Sequence, residues 1–243
     1  MTVLLEVCVD SVDGLEAAIA GGADRIELCS ALDLGGLTPT PGLIAAASRA
    51  PIPVYAMIRP HARSFVWTPA DAAAMLADID AVRAAKLAGV VLGAALPDGA
   101  LDIELLETLQ ARAQLHGLGA TLHRVFDLVP DPARALEAAI ALGFERVLTS
   151  GGAVRAEEGI VMLYALVRQA AGRIGILPGS GISADNAARI VQAAGAKEVH
   201  ASCRETFAHD DSKGVELGFF PARQGSTSAS AVRALKHALA SMG

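Results

Sequence analysis

Short apolar runs alternate along the whole chain with longer stretches in which apolar positions recur at helical spacing. The first run is Val3-Leu4-Leu5-Glu6-Val7-Cys8. A helix is predicted from Val12 to Ala20, with Asp10 or Ser11 as its cap and Gly21-Gly22 as its end. Arg25-Ile26-Glu27-Leu28 reads as the second strand, and a helix starts near Pro41. Val54 to Ile58 is the third strand; a loop from Arg59 to Thr68 leads into a long helix from Pro69 to Lys86. Val90-Val91-Leu92 is the fourth strand, and its helix runs from Asp102 to about His116. The fifth is Ala120 to His123, with a helix from Pro132 to Leu142 stopped by Gly143. Arg146 to Thr149 and Ile174 to Leu177 are the sixth and seventh, with helices at Glu157–Ala171 and Ala184–Ala194. Glu198-Val199-His200 is the eighth. A polar loop from Ser202 to Ser226 and a helix from Ser228 to Ser241 complete the chain.

Each parallel strand needs a crossover, and a helix supplies it here eight times without a linker or a low-complexity stretch. The pattern predicts one α/β domain over 1–243, a closed (β/α)8 barrel of the TIM type. An open doubly wound sheet is the runner-up. Val9-Asp10-Ser11 stands where such a sheet carries its glycine-rich turn.

The length of 243 residues matches the roughly 250 of such barrels. Hydrophobic residues make up 53% and charged residues 19%, which suits a sheet covered by helices and leaves apolar surface for subunit contacts. The formal charge of −6 and the lack of a basic run argue against nucleic acid and anionic membranes. The start, Met1-Thr2-Val3-Leu4-Leu5-Glu6, has no basic region of the secretory kind, and no apolar run reaches the roughly 18 residues a bilayer requires. Three cysteines, Cys8, Cys29 and Cys203, form no disulfide framework, so a cytoplasmic location is expected.

Barrel sites lie at the C-terminal strand ends. Those ends offer Glu6 and Cys8, Glu27 and Cys29, Arg59, then His123, Arg124 and Asp127, and finally His200 and Ser202. Period two puts Glu6 with Cys8, and Glu27 with Cys29, on common faces. Closure sets His200 near Glu6. As catalytic groups, Glu6 or Glu27 would be the base, His123 or His200 the acid, and Arg59 and Arg124 anion holders, with Asp127 beside them. An internal ion-pair network is the bland alternative. Leu5-Glu6-Val7-Cys8 and Ile26-Glu27-Leu28-Cys29 echo each other and suggest equivalent places on neighbouring strands. Two thiolates at roughly 4.8 Å strand spacing would suit a soft ion such as Cu(I); two small buried apolar side chains are the alternative. Leu177 to Ser183 resembles a phosphate cradle, with Gly179, Ser180, Gly181 and then Ser202 as binding groups, or simply a tight turn. Phe65 and Trp67 could wall the mouth. No organic cofactor is predicted.

The ordered set Glu6-Val7-Cys8, Gly22 to Cys29, Gly35-Gly36-Leu37-Thr38-Pro39, Ile58-Arg59-Pro60, Thr121 to Asp127, Leu148 to Gly151, Gly179-Ser180-Gly181 and His200-Ala201-Ser202 resembles the CutC family, named for copper homeostasis. The resemblance spans nearly the whole chain. It implies a cytoplasmic TIM-type barrel, usually a homo-oligomer (dimer or tetramer), with Cu(I) binding suggested for some members; Cys8 and Cys29 match the family's cysteines. His61 and the Phe65-Val66-Trp67 stretch depart from its pattern. Two functions follow: copper homeostasis through strand-end cysteines, or an enzyme acting on an unidentified small substrate, phosphorylated or not, through a Glu/His/Arg site.

Overall fold

In a computed structural model that describes residues 3–241, eight parallel strands form one sheet. They are β1 (Leu4–Val9), β2 (Arg25–Leu28), β3 (Val54–Met57), β4 (Gly89–Leu92), β5 (Gly119–Leu122), β6 (Arg146–Thr149), β7 (Gly175–Pro178) and β8 (Glu198–Ala201). The predicted domain bounds also include 1, 2, 242 and 243, which lie outside the described residues. Consecutive strands pair from β1 to β7, and β1 pairs β8 on its other side. Among the described residues no ladder joins β7 to β8, yet the two lie side by side. A β-carbon on Gly175 would stand 2.4 Å from Glu198 Oε1. The sheet is a nearly closed (β/α)8 barrel of the TIM type.

The crossovers are α1 (Val12–Gly21), α2 (Pro41–Ala47), α3 (Pro69–Ala84), α4 (Ile103–Leu115), α5 (Pro132–Ala141), α6 (Ile160–Ala170) and α7 (Ala187–Ala194). Local chemistry fixes their ends. The Ser11 hydroxyl accepts from Gly14 N–H, and Gly22 closes α1 in the left-handed region at φ 91°. Thr68 and Asp71 form a reciprocal capping box at the start of α3, with Pro69 in its first turn. α6 and α7 begin later than their apolar periodicity suggests, because turns at Ala156–Gly159 and Ser183–Asn186 precede them.

Strand residues that face outward, such as Leu5, Val7, Val9, Ile26 and Leu28, are fully buried under the helices. That shell is the apolar core. The inward set is different: Glu6, Arg25, Tyr55, Thr121, Arg146 and Glu198 include five polar or charged groups besides Tyr55. Tyr55 crosses the interior and reaches Glu145, its hydroxyl donating at 2.7 Å. Glycine makes that path: a β-carbon on Gly89 would stand 2.3 Å from the Tyr55 ring.

The stretch after β8 departs from expectation. The polar loop contains an antiparallel ribbon, β9 (Arg204–Ala208) with β10 (Arg223–Thr227), and a short helix α8 (Ser212–Glu216) between them. The final helix is α9 (Ala229–Ala240), capped by the Ser228 hydroxyl.

Candidate functional site

A stack of charges rises along the barrel axis. At its base Glu198 accepts from Arg25 Nη2 at 2.7 Å and lies 3.7 Å from Arg146 Nε. Arg25 Nε also donates to Glu6, whose other oxygen meets His200 Nδ1 at 2.8 Å. Glu6 is completely buried. Burial works to raise its pKa, but the His200 hydrogen bond and the Arg25 charge prevail and hold it at about 2. Burial likewise opposes the Arg25 charge, and Glu6 with Glu198 outweigh it, so that guanidinium is firmly cationic. The predicted ion-pair alternative thus describes Glu6: it fixes the floor of the site and orients His200. It does not line the cavity above.

That cavity, of ≈ 360 Å³, opens at the C-terminal strand ends and is lined by Cys8, Glu27, Arg59, His123 and His200 among others. On one side a sulfur, an oxygen and a nitrogen from Cys8, Glu27 and His200 all lie within 4.8 Å of one another. His200 Nε2 is 4.0 Å from Glu27 Oε1. Because Nδ1 is engaged by Glu6, Nε2 is the nitrogen left for a ligand. Glu27 Oε2 is buried and has no hydrogen-bond partner among the described residues. Burial is the main reason its pKa rises. Burial also disfavours the His200 cation, but neighbouring Cys8 and Glu27 charges, with hydrogen bonds to Cys8 and Glu6, raise its pKa well above the usual value.

Cys29 does not occupy the place that the sequence echo suggests. The β1–β2 register sets Cys8 opposite Glu27, so Cys29 sits two residues farther along its strand. It is fully buried beneath the Gly35-Gly36 loop, where a β-carbon on Gly36 would approach its sulfur to 3.0 Å. Its thiol contacts Glu27 Oε1 at 3.5 Å, and burial followed by the Glu27 charge pushes its pKa well up. Among the described residues it belongs neither to the close donor group nor to the cavity lining.

The opposite wall is Arg59, Phe65 and His123. Arg59 Nη1 donates to the carbonyls of Leu34 at 2.8 Å and Gly36 at 3.0 Å. Its Cζ lies 4.9 Å from the centre of the Phe65 ring, which in turn lies 4.8 Å from the His123 ring and meets Trp67 edge-on at 6.4 Å. His123 Nδ1 accepts from Val125 N–H at 3.1 Å, which assigns the ring hydrogen to Nε2. Burial, then the Arg59 charge, lowers the His123 pKa to about 3, so the ring is neutral. Gly93 leaves room for it: a β-carbon there would stand 2.4 Å from Cε1.

Arg124 reaches the cavity edge, but Asp127 does not line it. Asp127 instead gathers the β6–α6 loop. Its carboxylate accepts from Arg124 Nε at 2.7 Å, Thr149 Oγ1 at 2.5 Å, Ser150 N at 3.0 Å and Gly152 N at 3.0 Å. Ser180, Gly181 and Ser202 line the cavity, while the Ser180 hydroxyl is spent on Val154 O at 2.7 Å. Gly179 provides clearance, since a β-carbon would stand 2.6 Å from Leu148 Cδ1. The dipole end expected at this loop is displaced, because α7 starts only at Ala187 after the Asn186 side chain has bonded back to Gly181 O. Sequence reasoning did not single out Arg25, Arg146 or Glu198 as parts of the axial stack. Their position two residues apart from other inward groups was the available signal. Arg204, from the unforeseen ribbon, also borders the cavity.

The family model described as CutC family matches residues 3–205. A CutC family protein of Sinorhizobium medicae is 55% identical over 237 residues, covering 98% of this chain and 96% of its own length. One from Vibrio cholerae is 50% identical over 203 residues, covering 83% and 80%. Among solved structures, a CutC protein from Streptococcus agalactiae, named for copper homeostasis, aligns with TM-score 0.78 and 32% identity over 82% of this chain and 98% of its own. Thiamine phosphate pyrophosphorylase from Pyrococcus furiosus, at 16% identity and TM-score 0.58, shares the fold alone. No helix among the described residues is long and apolar enough to cross a membrane.

Proposed function

The chain belongs to the CutC family, and we propose that it binds Cu(I) as cargo at the barrel mouth, with Cys8 and His200 as the principal ligands and Glu27 beside them. One observation carries the reading: the Cys8, His200 and Glu27 donor atoms lie within 4.8 Å of one another in the wall of an open cavity. A thiolate is the soft ligand that Cu(I) favours, and imidazole suits copper as well. The donor chemistry fits on a second ground. Glu27 Oε2 is a buried acceptor without a donor, and a cation is one way to satisfy it. Glu6, tied to Arg25, holds His200 by the far nitrogen, as carboxylates commonly hold ligating histidines. Cys8 lines the cavity whereas Cys29 is sealed, so Cys8 is the thiol an arriving ion can meet.

A competition titration with a chromophoric Cu(I) chelator tests this, with Zn(II) as a separate arm. The wild type and Cys29→Ser should take up one equivalent, and Cys8→Ser should bind at least a hundredfold more weakly. His200→Gln should lose at least tenfold, in the range that misplaced ligand-shell groups cost. Equal affinity of wild type and Cys8→Ser would remove the reading. Stronger retention of Zn(II) than of Cu(I) would reassign the ion.

A further inference from the structure

Six buried side-chain atoms lack a hydrogen-bond partner among the described residues, and four of them belong to residues that line this one cavity. The four are Glu27 Oε2, Arg59 Nε, His123 Nε2 and Arg204 Nε. A metal ion accounts for the first, an oxygen. It cannot account for the other three, which are N–H donors and require an acceptor. The excess of donors calls for an electron-rich ligand.

Charge leads to the same requirement. Arg25 and Arg146, the other guanidinium groups inside the barrel, each have carboxylate partners. Arg59 is 7% exposed and has no carboxylate within ion-pair distance among the described residues. Its contacts are the carbonyls of Leu34, Gly36 and Ala62, which solvate a cation but do not neutralise it. A buried charge without a counter-ion is costly, and an anion from solution removes that cost. His123 is suited to assist. Val125 N–H occupies Nδ1, so Nε2 must donate. Phe65 spans the two groups and makes them one continuous wall.

We propose that the Arg59–Phe65–His123 wall binds the head group of a small organic anion, a carboxylate or a phosphate, across the cavity from the Cys8–Glu27–His200 donors. Arg59 supplies the charge and one N–H, His123 supplies a second N–H, and Phe65 lines the wall between them. Met57, Leu148 and Ile182 line the same space and give the carbon part of the ligand an apolar bed. A volume of ≈ 360 Å³ falls within the range of about 300–1,000 Å³ usual for small-molecule sites. The inference goes beyond copper binding and does not depend on a metal being present.

The test uses the full chain freed of metal on a chelating resin, because soluble chelators are themselves anions. Acetate, D-glycerate, inorganic phosphate and glycerol 3-phosphate are titrated in turn at pH 7. Long-range proton–nitrogen spectra follow the His123 ring. Saturable movement of the Nε2 signal is expected with D-glycerate or glycerol 3-phosphate, tighter than with acetate or inorganic phosphate respectively. Preference between the two organic probes assigns the head group. Arg59→Lys should weaken binding at least tenfold, because a lysine ammonium lacks the planar guanidinium fork. His123→Phe, which keeps the ring packed on Phe65, should do the same; there the Arg59 guanidinium nitrogen signals report binding. If Arg59→Lys does not fold, His123→Phe decides. No saturable shift with any probe overturns the proposal, as does binding of inorganic phosphate alone. Unchanged affinity in the folded variants also overturns it.

Discussion

His123 should make the protein acid-sensitive well above the carboxylate range. In the fold its ring is neutral, with a pKa lowered to about 3 by burial and by the Arg59 charge. In the unfolded chain the same ring titrates near its usual value of about 6.5. Its folded value is the depressed one, so its contribution is fully present above pH 6.5. That contribution is lost as the pH falls from 6.5 toward 3, because the unfolded state takes up a proton that the fold refuses. At pH 5 the unfolded ring is protonated by about one and a half pH units, which amounts to about 2 kcal/mol relative to pH 7. Any folded value below about 4 gives the same figure, so the size does not hinge on the depth of the shift. Urea unfolding of the wild type and of His123→Asn at pH 7, 6 and 5 isolates the effect, because the other five histidines titrate equally in both proteins. The stability difference between the two should shrink by about 2 kcal/mol from pH 7 to pH 5. A difference that stays constant with pH would refute the assignment of a buried neutral ring.

Glu6→Gln should cost about 3–5 kcal/mol in urea unfolding at pH 7, since it breaks a buried pair and leaves Arg25 with Glu198 alone. Gly89→Ala should destabilise by about 1–3 kcal/mol through overpacking against Tyr55 and should lower the melting temperature without altering Cu(I) affinity. Asp127→Ala should leave the buried Ser150 N–H without its acceptor; amide hydrogen exchange is expected to speed up at Ser150 and Gly152 while the β1 amides remain protected.

The barrel is readable in the sequence because its strands are buried on both faces. Runs such as Leu4-Leu5-Glu6-Val7-Cys8 are apolar except where an inward side chain is ionisable, so Glu6, Glu27 and His200 stand out as interruptions. Arg25, Arg146 and Glu198 sit at the first positions of their strands, where a charge usually marks the surface; only closure turns them inward to neutralise one another. The relation of Cys8 to Cys29 was misjudged for a related reason. Barrel closure staggers neighbouring strands, so two similar tetrapeptides need not lie level, and here Cys8 faces Glu27. The β9–β10 ribbon is not legible because most of its residues are polar, β9 is largely exposed and β10 only partly buried, so no apolar face imposes alternation. Asp127 looked catalytic as an acid past a strand end. Besides the neighbouring Arg124, its donors Thr149, Ser150 and Gly152 lie at the end of β6 and in the loop after it, which linear spacing cannot bring to Asp127.

The most direct test is to count sulfurs around bound copper. X-ray absorption at the copper edge of the Cu(I)-loaded protein should show one sulfur together with nitrogen or oxygen scatterers, including the imidazole of His200. Cys8→Ser should lose the sulfur and Cys29→Ser should keep it. A shell of two sulfurs, or a spectrum indifferent to Cys8, would contradict the account.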